Sequence, residues 1–195
     1  MLTHGSNLHN TPVMSLQTGT ALAVTGKPII DPDRLRVVAY ELEGPLLVER
    51  PAFLRVDEIR ELGSVGIIID SSDELIGLHD VIALERLYEL GFNLVGLSVI
   101  DEEGRKLGRV ADYSVDTLDF IIKQLQVNRG LLKSLANTAL LINRSQIVTV
   151  TDTKVIVKSM AHKEAQPVLE AIRHDYVNPF RTQKPRAEAA DTNRP

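Results

Sequence analysis

Histidine, carboxylate and serine are the side chains in this sequence that could do chemistry, and their spacing assembles none. The five histidines, His4, His9, His79, His162 and His174, are scattered, with no i,i+4 pair and no carboxylate at metal-ligand spacing. Two acidic clusters, Asp70-Ser71-Ser72-Asp73-Glu74 and Asp101-Glu102-Glu103, carry charge enough for a divalent cation. Neither has the glycine-containing twelve-residue loop of an EF-hand, and turn chemistry accounts for both more simply. Ser98, Ser114 and Ser145 lack a nucleophile-elbow context. Gly104-x-x-x-Gly108 is hairpin spacing and not a phosphate loop, because no strand-to-helix transition follows it. Cysteine is absent, which removes thiolate metal sites, disulfides and Cys nucleophiles. The expectation is a chain with no catalytic residue, no cofactor and no bound metal.

Basic residues raise a different possibility. Arg105, Lys106 and Arg109 fall on one hairpin, and Arg129, Lys133 and Arg144 could line a second edge. Arg181, Lys184, Arg186 and Arg194 add charge further along. Against nucleic acid stand a net charge of −4, aromatics at only 4%, and Asp101, Glu102 and Glu103 beside Arg105. RNA or ribosome association is therefore the second reading, behind protein partners. Phe180, flanked by Arg181 and Lys184 in a polar tail, has the composition of a docking motif and is the candidate interaction site.

These residues must be held by elements of modest size. A length of 195 residues with 44% hydrophobic and 25% charged side chains fits an ordinary globular protein with aliphatic cores. The apolar runs are far short of the ~20 residues needed to span a bilayer. The first fourteen residues have no Lys or Arg and resemble neither a signal nor a transit peptide. With no cysteine, the expected location is the cytoplasm. Charge is uneven: residues 13–78 hold 6 basic and 11 acidic side chains, and residues 93–160 hold 9 and 7.

The chain repeats itself. Leu54 to Ile69 lies without a gap over Ile142 to Val157, with Leu54/Ile142, Ile59/Ile147 and Leu62/Val150 in register. Upstream, Asp33 to Leu42 matches Asp116 to Leu125, which puts an insertion of about five residues between 128 and 137 of the second copy. Each copy is then one folding unit. In the first, Ala21–Val24 and Pro28–Ile30 form a hairpin about Thr25-Gly26-Lys27, followed by a turn at Asp31-Pro32-Asp33 and a strand to Leu42. Between the copies the period changes to 3.6: Asp80 caps a helix with Val81, Leu84, Leu87 and Tyr88 on one face and Gly91 as its stop. In the second, a strand at 93–100, the turn Asp101–Gly104 and a strand at 106–116 form a hairpin. A further helix follows over 163–176.

The residues Gly96 to Asp116 carry the pattern V-x-D-x-x-G-x-x-[IL]-G-x-V-x-D, through Val99, Asp101, Gly104, Leu107, Gly108, Val110 and Asp112. This stretch resembles the opening hairpin of PRC-barrel domains. Leu140 to Val150 is similar to the closing segment of that family, with Asn143 where proline is common. The resemblance covers about 93–158. Residues 15–70 are more divergent and lack the L-G-x-V element. The resemblance implies small, strongly bent antiparallel barrels used as assembly modules. Relatives include the cytoplasmic part of the photosynthetic reaction centre H subunit and the C-terminal domain of the ribosome maturation factor RimM.

The expected protein is mostly β: two small antiparallel PRC-type barrels joined by a short helix, with a C-terminal helix and disordered ends. Its boundaries are a disordered leader 1–13, a first repeat 14–78, a linking helix 79–92, a second repeat 93–160, a C-terminal helix 161–177 and a flexible tail 178–195. The expected function is a non-catalytic interaction scaffold for unidentified protein partners, without membrane insertion and with homo-oligomerisation open. The alternatives are a ribosome- or RNA-associated maturation factor and a small-molecule or metal sensor.

Overall fold

The computed structural model describes residues 1–128 and 139–159. Its strands are β1 (Leu2–His4), β2 (Pro12–Ser15), β3 (Ala21–Asp31), β4 (Arg36–Glu43), β5 (Ala52–Arg55), β6 (Glu61–Gly63), β7 (Gly66–Ile69), β8 (Leu75–Gly77), β9 (Ser98–Asp101), β10 (Lys106–Asp116), β11 (Ile122–Asn128), β12 (Leu140–Asn143), β13 (Ile147–Val150) and β14 (Lys154–Val157). One α-helix, α1 (Ile82–Leu90), lies among the described residues. The fold is mostly β. The expected C-terminal helix and tail lie outside the described residues.

The strands form two seven-stranded sheets. The first runs β6-β7-β2-β3-β4-β5-β8; the second runs β13-β14-β9-β10-β11-β12, with β1 added on β10. Among the described residues neither path closes on itself by hydrogen bonds. Both are mixed, since β2 pairs with β7 in parallel, and so do β9 and β14. The expected closed antiparallel barrel is thus corrected to an open, bulged, mixed sheet.

Apart from β8 and β1, the two paths visit their strands in the same order. The ladders also coincide residue by residue. Thr25↔Leu42, Ile29↔Ala39 and Ile30↔Val37 in one sheet stand where Val110↔Val127, Ser114↔Gln124 and Val115↔Ile122 stand in the other. Register shifts fall at the same two places, before and after the Ile29 and Ser114 positions. This register puts Asp31, not Asp33, opposite Asp116 in the comparison, a two-residue slip from the sequence alignment. The connection 129–139 is accordingly three residues longer than its counterpart 44–51, not five. A slip of two keeps every inward side chain inward, so periodicity alone cannot detect it.

Three other expectations change. Ala21 to Asp31 is one continuous strand with a register shift between Thr25 and Pro28, so Gly26 and Pro28 mark a bulge, not a turn. The strand expected at 93–100 is confined to Ser98–Asp101. The leader expected to be disordered is built in: Leu2, Thr3 and His4 pair with Asp116, Val115 and Ser114, and Leu8 is buried. The physical reason is β10, whose eleven residues outrun its neighbour β9 and leave a stretch of backbone that β1 covers.

Helix α1 begins two residues after Asp80, whose carboxylate instead accepts from Gly77 N–H at 2.7 Å. Gly91, at φ 61°, ends it as the sequence predicts. Its apolar face covers Ile29, Ala39 and Phe53 on the outside of the first sheet, with the Phe53 and Tyr88 rings edge-on at 5.2 Å. The equivalent face of the second sheet bears Ser114, Gln124 and Leu141. A main core joins both sheets, with Ile30, Leu35, Val37, Tyr40 and Val56 packed among Val99, Val115, Phe120, Ile122 and Leu125.

Candidate interaction surface

The acidic clusters of the sequence are spent on turns. Asp101, the Asp of the hairpin pattern, is buried; one oxygen accepts from Glu103 N–H at 3.0 Å and Arg105 N–H at 2.9 Å, the other from Arg105 Nε at 2.6 Å. Burial pushes its carboxyl up, but the donors of Arg105 and Glu103 outweigh that and hold it below the ordinary range. Glu74 accepts from Asp70 N–H at 2.9 Å, Ser71 accepts from Asp73 N–H at 3.1 Å, and Arg60 pairs with the Asp70 carboxylate. Among the described residues no three His, Asp or Glu side chains converge as a metal site.

One polar constellation was invisible in the sequence. Strand β1 carries His4 onto β10, where His4 Nδ1 stands 3.4 Å from Ser114 Oγ, 3.2 Å from Gln126 Nε2 and 4.0 Å from Asp112 Oδ2. Ser6 Oγ donates to the same Asp112 at 2.6 Å. Serine, histidine and aspartate thus meet, but all on one ring nitrogen. A proton relay needs the nucleophile and the carboxylate on opposite nitrogens, so this geometry positions a strand and not a nucleophile. The signal lay in pairing across more than a hundred residues, which no spacing rule reads.

The arginines are also engaged. Arg109 Nη1 donates to Gly96 O at 3.0 Å, and Arg105 reaches both Asp101 and Glu103. Arg144 spans the two sheets, donating to Arg34 O at 2.6 Å and Leu35 O at 3.3 Å. From the other side Arg36 Nε donates to Asp119 O at 2.8 Å. Arg129, Lys133 and the candidate docking residues Phe180, Arg181 and Lys184 lie outside the described residues, as do His162 and His174.

What remains as surface is the rim of the seam between the sheets, where its turns and a cleft are open, and the sheet edges beside it. Turn Asp31–Leu35 and turn Asp116–Phe120 meet there. In each, an aspartate accepts from the backbone two residues on, Asp31 from Asp33 N–H at 2.9 Å and Asp116 from Leu118 N–H at 3.3 Å. In each, an apolar residue is held at positive φ, Leu35 at 48° and Phe120 at 54°. Beside the seam a cleft of about 310 Å³ is lined by Pro32, Asp33, Leu35, Arg144 and β13. The strands at the two ends of the second sheet, β12 and β13, carry no charge and expose Leu141 and Val148. Such edges lack the lysines and prolines that usually discourage pairing.

Residues 89–163 match the family model of the PRC-barrel domain. No curated protein matches the chain.

Proposed function

With the PRC-barrel domain of residues 89–163 as premise, we propose that the chain is a non-catalytic interaction scaffold built from two modules of this type in tandem. The observation that carries this reading is the shared strand order of the two sheets, extended to the same bulge positions and the same positive-φ residues, Leu35 and Phe120. Residues 12–77 would be the first module. It departs from the family pattern where the hairpin glycine falls, because the position of Gly108 is taken by Ala23.

The chemistry-bearing side chains support the same reading, since Asp101, Asp70, Glu74 and Arg144 all serve turns or the seam. What the modules offer to partners is edge strand and loop. Uncharged β12 and β13 fit extended protein segments, which add to a sheet through main-chain bonds. A cysteine-free chain suits a reducing compartment, and we place it in the cytoplasm.

Crosslinking followed by affinity purification and mass spectrometry tests the proposal. The expected outcome is a protein partner whose crosslinks map to β12, β13 or the cleft beside β13. Recovery of ribosomal RNA instead, with binding that falls steeply with salt, would replace the scaffold reading by the nucleic-acid one.

A further inference from the structure

The pairing at the seam has a symmetry worth more than the contacts it makes. Arg36 and Ile121 face each other in an antiparallel bridge. Val37 N–H donates to Phe120 O at 3.0 Å, and Ile122 N–H donates to Leu35 O at 2.8 Å. By ladder position Arg36 corresponds to Ile121, Leu35 to Phe120 and Val37 to Ile122. The two bonds are one bond repeated about a local twofold axis, as at an isologous contact between identical subunits.

Packing follows the same axis. Ile30, Leu35 and Val37 share the core with Val115, Phe120 and Ile122, which are their positional equivalents. The carbonyls of Arg34 and Asp119 are equivalent too, and each accepts from an arginine of the opposite sheet. A surface that fits its own copy within one chain fits the same copy in a second chain. The joining segment holds Gly91 and Gly96, both at positive φ, where a change of path costs least.

We propose that the seam is a homotypic docking surface that a second copy of this chain satisfies by exchange, the first sheet of one chain against the second sheet of the other. This rests on the tandem-module reading above. The exchanged contact repeats every bond of the closed one, so concentration decides between them.

The chain lacks cysteine, so an introduced thiol is the only one present. Residues in a non-hydrogen-bonded antiparallel pair have Cα atoms about 4.5 Å apart, within disulfide reach. The full chain carrying both Arg36→Cys and Ile121→Cys, oxidised when dilute, should close an internal disulfide and migrate faster on a non-reducing gel. Two full chains, one with Arg36→Cys and one with Ile121→Cys, are then refolded together from mild denaturant and oxidised. The expected result is a covalent heterodimer that grows with protein concentration and exceeds the homodimer of either variant alone. Light scattering of the unsubstituted chain, refolded at the same concentrations, should show the matching dimer. No heterodimer excess and a monomer throughout would overturn the exchange and leave the tandem reading standing. Failure of the doubly substituted chain to close its own disulfide would overturn the seam and the exchange with it, whereas the tandem reading, carried by the strand order within each sheet, answers to the crosslinking experiment above.

Discussion

Leu35 and Phe120 occupy the same place in two sheets and hold the same left-handed backbone conformation, and the carbonyl of each accepts a hydrogen bond from the amide two residues beyond the other. Both side chains are buried in the core that joins the sheets. A bulky residue at positive φ is strained by roughly 1 kcal/mol or more, so packing must hold it there.

That strain gives a test at Phe120. Phe120→Ala should cost about 3–5 kcal/mol for the emptied core. Phe120→Gly removes one further methyl but regains the left-handed strain, so it should be no less stable than Phe120→Ala. Urea denaturation of the two variants decides it. A glycine variant clearly weaker than the alanine one would mean that the backbone here is not left-handed.

Gly108 explains the glycine of the hairpin pattern. Its φ is 148°, and a Cβ there would run into the carbonyl of Asn128 across the ladder. Gly104, at φ 81°, has no neighbour within contact of a Cβ among the described residues. Gly104→Ala should therefore cost about 1 kcal/mol from backbone conformation alone, and Gly108→Ala at least twice that. Equal losses in thermal or urea unfolding would remove the steric account.

Tyr40 carries a buried hydroxyl with no hydrogen-bond partner among the described residues. Burial, with Tyr113 nearby, holds its proton on well above the ordinary phenol range. Tyr40→Phe should leave stability unchanged or raise it by about 1 kcal/mol, because an unmet polar group is removed from the core. A loss of stability would show that the hydroxyl is satisfied.

Asp101 contributes to the acid limb of stability, together with Asp116 and Asp119, whose carboxyls are also lowered by backbone donors. The Asp101 carboxyl lies below the ordinary range in the folded chain, so the unfolded chain takes up the proton first as pH falls. The stabilisation is fully present above about pH 4, the ordinary carboxyl value, and is lost as pH drops through the lower folded value. The stability gap between the unsubstituted chain and Asp101→Asn should stay constant from neutral pH down to about pH 5, then narrow below about pH 4. A gap that widens on acidification would reverse the assignment.

Much of this was legible in the residues. The hairpin at Asp101–Gly104, the helix stop at Gly91, the apolar helix face through Leu84 and Tyr88, and the Asp31 turn all follow from local chemistry. The repeat was visible because its apolar anchors survive. What was not legible depends on distant backbone. The two-residue slip at Asp31 preserves the alternation of faces, so only the ladders fix it. The arm at Leu2–His4 has no strand pattern of its own and is ordered by the long edge of β10. His4 and Ser114 meet for the same reason. Thr25-Gly26-Lys27 reads as a turn because a bulge inside a continuous strand leaves no mark in periodicity.

The account turns on the pairing of Arg36 with Ile121, and proton NMR reads that pairing directly. Facing residues of a non-hydrogen-bonded antiparallel pair bring their Hα atoms together, so a strong Hα–Hα cross-peak should join Arg36 and Ile121. The amides of Val37 and Ile122 should exchange slowly and to a similar degree. Absence of the cross-peak, with either amide exchanging as fast as an open loop, would contradict the symmetric seam.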